Sequence, residues 1–388
     1  MNSVMKPIYL DHNATTPLDP RVLEAMSPYL VEHFGNASSN SHPYGWRAQM
    51  AVEKARTQVA DLLGCALSEV IFTSGATESN NLALQGSFIH LLESGSFSAS
   101  TPPHFITSNY EHKAVLEVFD RLKVLGAEVT FIDVDEEGRV LPGALKKALK
   151  PNTYMVSIMG ANNEIGSINP VRDLAQVCSE NGVLFHTDCA QLVGRQDLNF
   201  ARDGISLMSL SGHKIYGPKG IGALIIKEDV QKKIAPFMVG GAQEKGIRPG
   251  TLNVAGIVGL GEACALLSQS MDDEIEHLSG LQRRILDWAK SYGDEVVING
   301  CETERLCNNV SLSFKTLPAD RLRSALKTVA FSSGSACTSA NPTPSHVLMA
   351  LGRDQGLAQR TVRLGLGRKT TADEIQFVLE QLTKTIES

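Results

Sequence analysis

The sequence lacks the features that mark several classes of protein. Its 36 basic residues are outnumbered by 42 acidic ones, and the net charge of −6 gives no electrostatic case for binding nucleic acid or a membrane surface. The first sixteen residues contain no uninterrupted apolar stretch like that of a signal peptide. The longest apolar candidate, 252–267, is broken by Glu262 and falls short of the roughly 20 residues of a membrane helix. We therefore predict a cytoplasmic protein with no membrane partner and no direct nucleic-acid partner.

Cysteine occurs at seven positions, but not in a pattern that indicates disulfides or metal binding. The count is odd, the spacing is irregular, and the sequence contains no CxxC motif. A disulfide framework and a zinc site are both disfavoured, and no resident metal is predicted. Cys65, Cys178 and Cys264 are interpreted as small buried apolar residues, the commonest role of a free cysteine.

The length and the alternation of elements predict an α/β protein. A chain of 388 residues is long for one hydrophobic core, and its 43% hydrophobic and 20% charged residues are typical of globular proteins. Residues 154–159 have the pattern of a buried strand, 171–181 that of an amphipathic helix and 183–188 that of the next strand. Such a βαβ unit predicts a parallel or mixed sheet.

Further elements suggest two lobes. The sequence predicts a helix over 48–63, strands over 207–212, 222–227 and 308–314, a helix over 319–328, and a capping box at 371–374 that opens the last helix. We predict a large domain over 14–261. Residues 1–13 and 262–388 are predicted to form a smaller domain.

Asp188 and Lys214 carry the most chemical information. Asp188 ends the 183–188 strand, and open α/β sheets bind ligands at the carboxyl ends of their strands. Lys214 lies in SGHKIYGPKG (211–220), directly after an apolar strand, which is an unusual place for a solvated lysine. A lysine held in a pocket can form a Schiff base, and a carboxylate keeps a pyridine nitrogen protonated. The pair predicts a pyridoxal 5′-phosphate (PLP) site, with a buried ion pair in the core as the alternative.

Neighbouring motifs supply the other parts of such a site. In FTSGATESNN (72–81) a strand leads through a glycine turn into a helix, so backbone N–H groups face an anion, and Thr77 adds a hydroxyl. Ser211 and His213 could bind the same phosphate, and the nucleotide P-loop pattern is not found. In NYEHKAVL, His112 could lie over the cofactor ring as a proton shuttle.

Nearly the whole chain resembles the cysteine desulfurases of the NifS/IscS group. The matching stretches, in the family order, are YLDHNATTPLDPRV (9–22), FGNASSNSHPYG (34–45), SGATESNN, EHKAVL, NNEIG (162–166), SGHKIYGPKGIGAL, GGAQEKGIRPGT (240–251), SSGSACTSA (332–340) and VRLGLGRKTTADE (362–374). The resemblance implies the α/β fold of type-I PLP-dependent transferases. In this fold a mainly parallel, mixed sheet forms the large domain and is accompanied by a smaller α+β domain.

The resemblance also implies roles for individual residues. The implied PLP-binding residues are Ala76, Thr77, Asn163, Asp188, Gln191, Ser211, His213 and Lys214. Thr251 would reach the phosphate of the neighbouring subunit, so a homodimer is implied. His112 would stack on the ring and act in catalysis together with Lys214 and Cys337. Asn36, Asn163 and Arg363 would hold the carboxylate of the substrate, for which an arginine fork is suited.

Cys337 indicates which reaction the implied site would carry out. It lies among the small residues GSACTSA (334–340), which are typical of a loop and offer a buried thiol no apolar neighbours. The resemblance implies that Lys214 takes the Cα proton of L-cysteine and that the Cys337 thiolate attacks its sulfur. The products would be L-alanine and a persulfide on Cys337. A scaffold or sulfur-carrier protein would accept this sulfur for iron–sulfur cluster assembly, tRNA thiolation or DNA sulfur modification.

Two departures from the family pattern and two alternative functions stay open. Cys189 stands where the family usually has alanine, and Gly160 stands where relatives often have histidine, which predicts a less crowded pocket. One alternative is a selenocysteine lyase or another type-I PLP enzyme, although an aminotransferase has no use for Cys337. The other is an inactive PLP fold kept as a binding module, which the presence of every chemical residue disfavours.

Overall fold

The computed structural model describes residues 7–98, 100–333 and 344–388, so Cys337 lies outside the described residues. The strands of the described part are β1 (Ile8–Tyr9), β2 (Val70–Thr73), β3 (His104–Ser108), β4 (Glu128–Ile132), β5 (Thr153–Ser157), β6 (Leu184–Asp188), β7 (Leu207–Ser211), β8 (Gly222–Ile226), β9 (Val296–Ile298), β10 (Asn309–Phe314), β11 (Val329–Ala330) and β12 (Thr361–Gly365). Its α-helices are α1 (Pro20–Val31), α2 (Pro43–Leu63), α3 (Ala76–Glu93), α4 (Lys113–Val124), α5 (Pro142–Ala148), α6 (Val171–Glu180), α7 (Val254–Ser291), α8 (Ala319–Ala325), α9 (His346–Ala350), α10 (Gln355–Gln359) and α11 (Ala372–Ile386).

The central sheet is seven-stranded in the described part of the chain, with the order β2-β8-β7-β6-β5-β3-β4. Strand β8 runs antiparallel to both of its neighbours, and the other pairings are parallel. Strands β3, β6, β7 and β8 are buried along their whole length and β5 over its last three residues, as expected for a sheet that is covered by helices on both faces. The mainly parallel, mixed sheet predicted from the sequence is therefore confirmed.

Helix capping and strand pairing explain where several predicted elements begin and end. Helix α2 begins earlier than the predicted 48–63 helix because Pro43 occupies its first turn and the His42 side chain accepts a hydrogen bond from the Gly45 N–H. The predicted 319–328 helix ends at Ala325, since the chain then forms β11 and pairs in parallel with β1. The capping box at Thr371 opens α11 as predicted.

A second hydrophobic core surrounds a smaller sheet of order β12-β10-β9, whose strands are antiparallel. Leu10, from the first residues of the described chain, is buried in this core with Leu278, Leu312 and Leu364. Residue 262, the predicted domain boundary, lies inside α7, which contributes residues to the central core and to this second core. The division into domains at that residue stays a prediction.

In the part of the chain that the structure describes, α7 is the one helix whose length and composition would allow it to span a membrane. Its apolar residues Ile257, Leu260 and Leu267 are each at most 1% exposed and belong to the core that α1 and α2 share. Such burial is expected for a core helix of a globular protein.

Candidate active site

A cavity of about 450 Å³ opens at the carboxyl ends of β6 and β7. The structure brings most of the predicted site residues to its walls, namely Ala76, Thr77, His112, Asn163, Asp188, Gln191, Ser211, His213, Lys214 and Arg363. Apart from Arg363, which lies in β12 of the smaller sheet, these residues end or follow strands of the central sheet and meet because those strands end at the same edge.

Two predicted residues do not line this cavity, and a third is not described. Asn36 is exposed in the loop between α1 and α2, where its side chain accepts a hydrogen bond from the Ser38 N–H at 2.9 Å. Thr251 is exposed in the turn before α7. Within one protomer, therefore, neither residue reaches the cavity, and their predicted roles would require the cavity of a second subunit. Cys337 falls outside the described residues.

Asp188 is held in place by two neutral donors. Its Oδ2 accepts a hydrogen bond from Asn80 Nδ2 at 2.7 Å, and its Oδ1 accepts one from the Ala190 N–H at 2.9 Å. The residue is only 7% exposed, yet it lines the cavity. Its carboxylate is thus oriented by the protein and still available to a cationic group inside the cavity.

Lys214 reaches across to the N-terminal segment. It lies in a short 3-10 turn that follows β7, and its Nζ donates to the carbonyl oxygens of Asn13 at 2.6 Å and Ala14 at 2.9 Å. The Gln191 amide is bound to the same asparagine, donating to the Asn13 carbonyl at 2.9 Å. Asn13 thereby fixes both the lysine and the glutamine at one wall of the cavity.

The start of α3, at Gly75, forms a cradle of backbone N–H groups that could bind an anion. Gly75 is the N-cap residue with φ of 147°, a backbone conformation that favours glycine, and it has no side chain to accept a hydrogen bond from the first turn of the helix. Thr77 and Ser211 also line the cavity, and a Cβ atom built on Gly75 would lie 3.5 Å from Ser211 Oγ. The acidic Glu78 beside them is paired with Arg248 at 2.8 Å, which offsets its repulsion of an anion.

The two predicted active-site histidines are neutral in this environment. The His112 Nδ1 accepts a hydrogen bond from the Ala114 N–H at 3.1 Å, so the ring proton sits on Nε2. Although the ring is accessible from the cavity, surrounding protein atoms desolvate it and lower the pKa of His112 below its ordinary value. Burial, with help from the charges of Lys214 and Lys219, lowers the pKa of His213 to about 4.

Arg363 is an almost fully buried cation at the cavity wall, only 1% exposed. Its Nη2 donates to Asp11 Oδ1 at 2.7 Å and its Nη1 to the Asn163 carbonyl at 3.2 Å. Among the described residues its Nε has no hydrogen-bond partner. A buried donor left unsatisfied costs about 1–3 kcal/mol, and a ligand carboxylate would remove that cost.

Sequence reasoning missed three residues of the site. Asn13 and Asn80 lie within motifs that were recognised, but they make their contacts to Lys214 and Asp188 across long stretches of sequence. His346 also lines the cavity, and its Nε2 donates to the Glu111 carbonyl at 2.9 Å. No sequence signal distinguished His346, because it follows the 334–340 run without a recognisable motif.

The expectation that Gly160 leaves the pocket less crowded is wrong. A Cβ atom built on Gly160 would lie 2.8 Å from Leu192 Cδ2 and 3.2 Å from Cys189 Sγ, so these two side chains fill the space. Cys189 is fully buried, and burial raises the pKa of its thiol to about 12. Cys189 is therefore a packing residue and does not line the cavity.

Glu111 gives a prediction about pH and stability. Burial raises the pKa of Glu111 to about 8, although Ser108 Oγ and the Met159 N–H donate to its Oε1. Between the ordinary value of 4.5 and about 8, the folded protein keeps a proton that the unfolded chain releases, so the contribution of Glu111 to stability is lost as the pH rises through about 8. Glu111→Gln stays neutral throughout. The urea midpoint of the wild type should therefore fall relative to that of Glu111→Gln between about pH 5 and pH 9.

The exposed Glu117, one helical turn into α4, offers a matched control. Glu117→Gln is expected to leave the pH dependence of the urea midpoint unchanged. If the urea midpoints of the wild type and of Glu111→Gln change with pH in the same way, Glu111 is ionised in the folded protein.

The fold is the α/β fold of the type-I PLP-dependent transferases. A NifS-like protein of known structure superposes with a TM-score of 0.88 at 33% identity, over 98% of this chain and 99% of that one. The structure of SspA in complex with cysteine superposes with a TM-score of 0.81 at 35% identity, over 94% of this chain and all of that one. The family model described as aminotransferase class-V matches residues 8–378.

The chain belongs to the class-V aminotransferase family, and relatives named as cysteine desulfurases match it over nearly its whole length. The mitochondrial cysteine desulfurase of Arabidopsis thaliana is 44% identical over 98% of this chain and 83% of its own length. The family predicted from the sequence motifs is thereby confirmed.

Proposed function

We propose that this protein is a PLP-dependent cysteine desulfurase that converts L-cysteine into L-alanine and transfers the sulfur to Cys337. The observation that carries the proposal is the convergence of Asp188, Lys214, Arg363 and the α3 cradle on one cavity. Full-length similarity to cysteine desulfurases supports the same activity.

The cavity fits PLP group by group. The cradle at Gly75 and the hydroxyls of Thr77 and Ser211 suit the phosphate, while the Asp188 carboxylate suits the protonated ring nitrogen. Lys214 supplies the amine that reacts with an aldehyde. When bound, PLP acts as an electron sink that makes the Cα proton of an amino acid acidic.

Lys214, His112 and Cys337 are proposed to carry out the remaining steps of the reaction. The Lys214 Nζ, already directed into the cavity by the carbonyls of Asn13 and Ala14, is placed to take and return a proton at the Cα of the substrate. His112 would lie over the ring of bound PLP, with its proton on Nε2 because its Nδ1 accepts the Ala114 N–H. The Cys337 thiolate receives the sulfur: the C–S bond of cysteine breaks, an S–S bond forms, and the β-carbon gains a proton to give alanine.

Arg363 is proposed to bind the substrate carboxylate. In Arg363→Lys the compact ammonium loses the forked geometry, so a charge-assisted hydrogen bond is lost in both the ground state and the transition state. A loss of about 1.5–3 kcal/mol corresponds to a rise in KM for L-cysteine of about 10–100-fold, with kcat changed only a few-fold. Steady-state alanine formation measures both constants.

Arg360→Lys is the matched control, because Arg360 lies just before β12 and its Nε donates to the Phe314 carbonyl at 3.0 Å, away from the cavity. Its KM should equal that of the wild type. An unchanged KM in Arg363→Lys would remove Arg363 from the substrate site.

The proposal includes a homodimer in which Thr251 and Asn36 serve the cavity of the partner. Large apolar side chains are exposed around the loop that carries Asn36, as expected for a surface that another chain covers. The most exposed of them there are Val31, Phe34 and Met50. The acceptor is proposed to be a scaffold or sulfur-carrier protein, and the cytoplasmic location stays a prediction because one relative is named as mitochondrial.

The function is tested by supplying L-cysteine to the purified protein with PLP and measuring alanine and sulfide in the presence of a thiol reductant. Equal amounts of alanine and sulfide are expected. Sulfur release without alanine would indicate a different elimination reaction, and turnover of selenocysteine alone would favour the lyase alternative. Absence of any product, despite bound cofactor, would favour the binding module.

A further inference from the structure

Tyr216, two residues after Lys214, has a strained backbone. Its φ is +64°, in the left-handed region that residues other than glycine rarely adopt, and the side chain is only 3% exposed. Its N–H donates to Thr16 Oγ1 at 2.8 Å, and its carbonyl accepts a hydrogen bond from the Asp19 N–H at 3.0 Å. Such a conformation persists only where the surroundings hold it, and strained residues cluster at functional sites.

One residue from the C-terminal part of the chain holds the Tyr216 side chain at two points. The Arg368 guanidinium carbon lies 3.7 Å from the centroid of the Tyr216 ring, which is cation–π geometry. The Arg368 N–H donates to the Tyr216 hydroxyl at 2.7 Å. Both the face of the ring and its hydroxyl are therefore fixed by Arg368.

Arg368 is itself fixed by charges that alternate in sign. Its Nη1 is 2.8 Å from Asp19 Oδ2 and its Nη2 is 3.0 Å from Glu274 Oε2. The other oxygen of Glu274 binds Arg195 at 2.7 Å. Asp19, Glu274 and Arg195 are buried, so their charges are poorly screened by solvent and the geometry of the network is strongly determined.

The same network reaches Lys214 from the other side. Asp19 begins α1, and the segment just before it receives the Lys214 Nζ on the carbonyls of Asn13 and Ala14. Thr16 in that segment donates its N–H and its hydroxyl to the His213 carbonyl at 2.9 and 3.0 Å. The turn that carries Lys214 is thus held between this N-terminal segment and the Tyr216–Arg368 pair.

We infer that Arg368 and Tyr216 are positioning residues for Lys214: the charge network fixes Arg368, Arg368 fixes Tyr216 in its strained conformation, and Tyr216 fixes the direction of the Lys214 side chain. The inference rests on the proposed function in that Lys214 is the reacting amine. It makes the turn between β12 and α11, which carries Arg368, part of the machinery that positions Lys214 in the turn after β7.

The test compares Arg368→Lys and Tyr216→Phe with the Arg360→Lys control. Lysine keeps the charge of Arg368, but it has no planar group that can stack on the Tyr216 ring and bind the carboxylates of Asp19 and Glu274 at the same time. In Arg368→Lys, amide hydrogen exchange of the 212–217 segment, measured without added cofactor, should rise at least about 10-fold while the thermal midpoint stays within a few degrees. In the protein with PLP, kcat should fall about 10–100-fold and KM for L-cysteine should change less than about three-fold, as expected for a misaligned lysine.

Tyr216→Phe removes only the hydroxyl that accepts the Arg368 N–H, so it should fold and give a smaller rise in exchange of the same segment. Unchanged exchange at 212–217 in both variants would overturn the inference, as would an equal rise in Arg360→Lys. Because the exchange needs no turnover, it decides the inference even if the wild type fails to convert cysteine, which would refute the proposed function alone.

Discussion

Replacing Lys214 with alanine is expected to abolish alanine formation from L-cysteine, lowering kcat by about 10³-fold or more. The substitution removes both the amine that links to the cofactor and the base that moves the Cα proton, and a positioned acid–base group alone contributes about 10²–10⁴-fold. Cofactor bound to the variant should absorb as the unlinked aldehyde. Alanine formation and the absorption spectrum measure the two effects separately.

Lys227→Ala is the control for Lys214→Ala. Lys227 directly follows β8, is exposed, and lies 3.7 Å from Asp229 in a surface ion pair away from the cavity. Its removal should leave both the spectrum and kcat unchanged. A Lys214→Ala variant that retains turnover would show that another group performs the proton transfer.

Cys337→Ser is expected to have the second large effect, a loss of alanine and sulfide formation of about 10²-fold or more. A serine hydroxyl is not ionised at neutral pH and is a poor nucleophile toward sulfur, whereas a thiolate attacks it readily. Without an acceptor for the sulfur, the C–S bond of the substrate is not broken. L-cysteine should still bind to the cavity of the variant, and the change in cofactor absorption that measures this binding should persist.

The described cysteines explain why none of them is expected to replace Cys337. Burial raises the pKa of the Cys65, Cys178, Cys189 and Cys264 thiols to about 12 and that of Cys307 to about 11. The sixth described cysteine, Cys301, is only 1% exposed, and its thiol donates to Glu137 Oε2 at 3.2 Å. Among the described cysteines, Cys65 alone is half-buried, so it is the most accessible of them and Cys65→Ala is the suitable control. It should retain wild-type activity. Full activity of Cys337→Ser would overturn the assignment of the sulfur acceptor.

The sequence predicted those parts of the site that depend on local pattern. Asp188 was placed at a strand end by the apolar run before it, and the cradle at Gly75 by the strand–glycine–helix order. Both lie at the edge of the sheet where a parallel topology places ligands. The βαβ unit over 154–188 predicted a parallel or mixed sheet, and the resemblance implied that it is mainly parallel.

The contacts that sequence reasoning missed are those made between distant segments. Lys214 and Asn13 are 201 residues apart, and no local pattern indicates that the Asn13 carbonyl accepts a hydrogen bond from the Lys214 ammonium group. The space beside Gly160 was misjudged because its occupants, Cys189 and Leu192, arrive from the next strand end. The strained φ of Tyr216 likewise depends on Arg368, which lies far along the chain.

The central claim, transfer of sulfur from cysteine to this protein, is tested most directly by mass spectrometry of the peptide that contains Cys337. The protein with PLP is treated with L-cysteine without reductant and alkylated, and the peptide is analysed beside that from Lys214→Ala. The wild-type peptide should carry one additional sulfur atom that a reductant removes, with alanine formed in equal amount, and the variant peptide should carry none. Alanine formed by the wild type without additional sulfur on Cys337 would contradict the account.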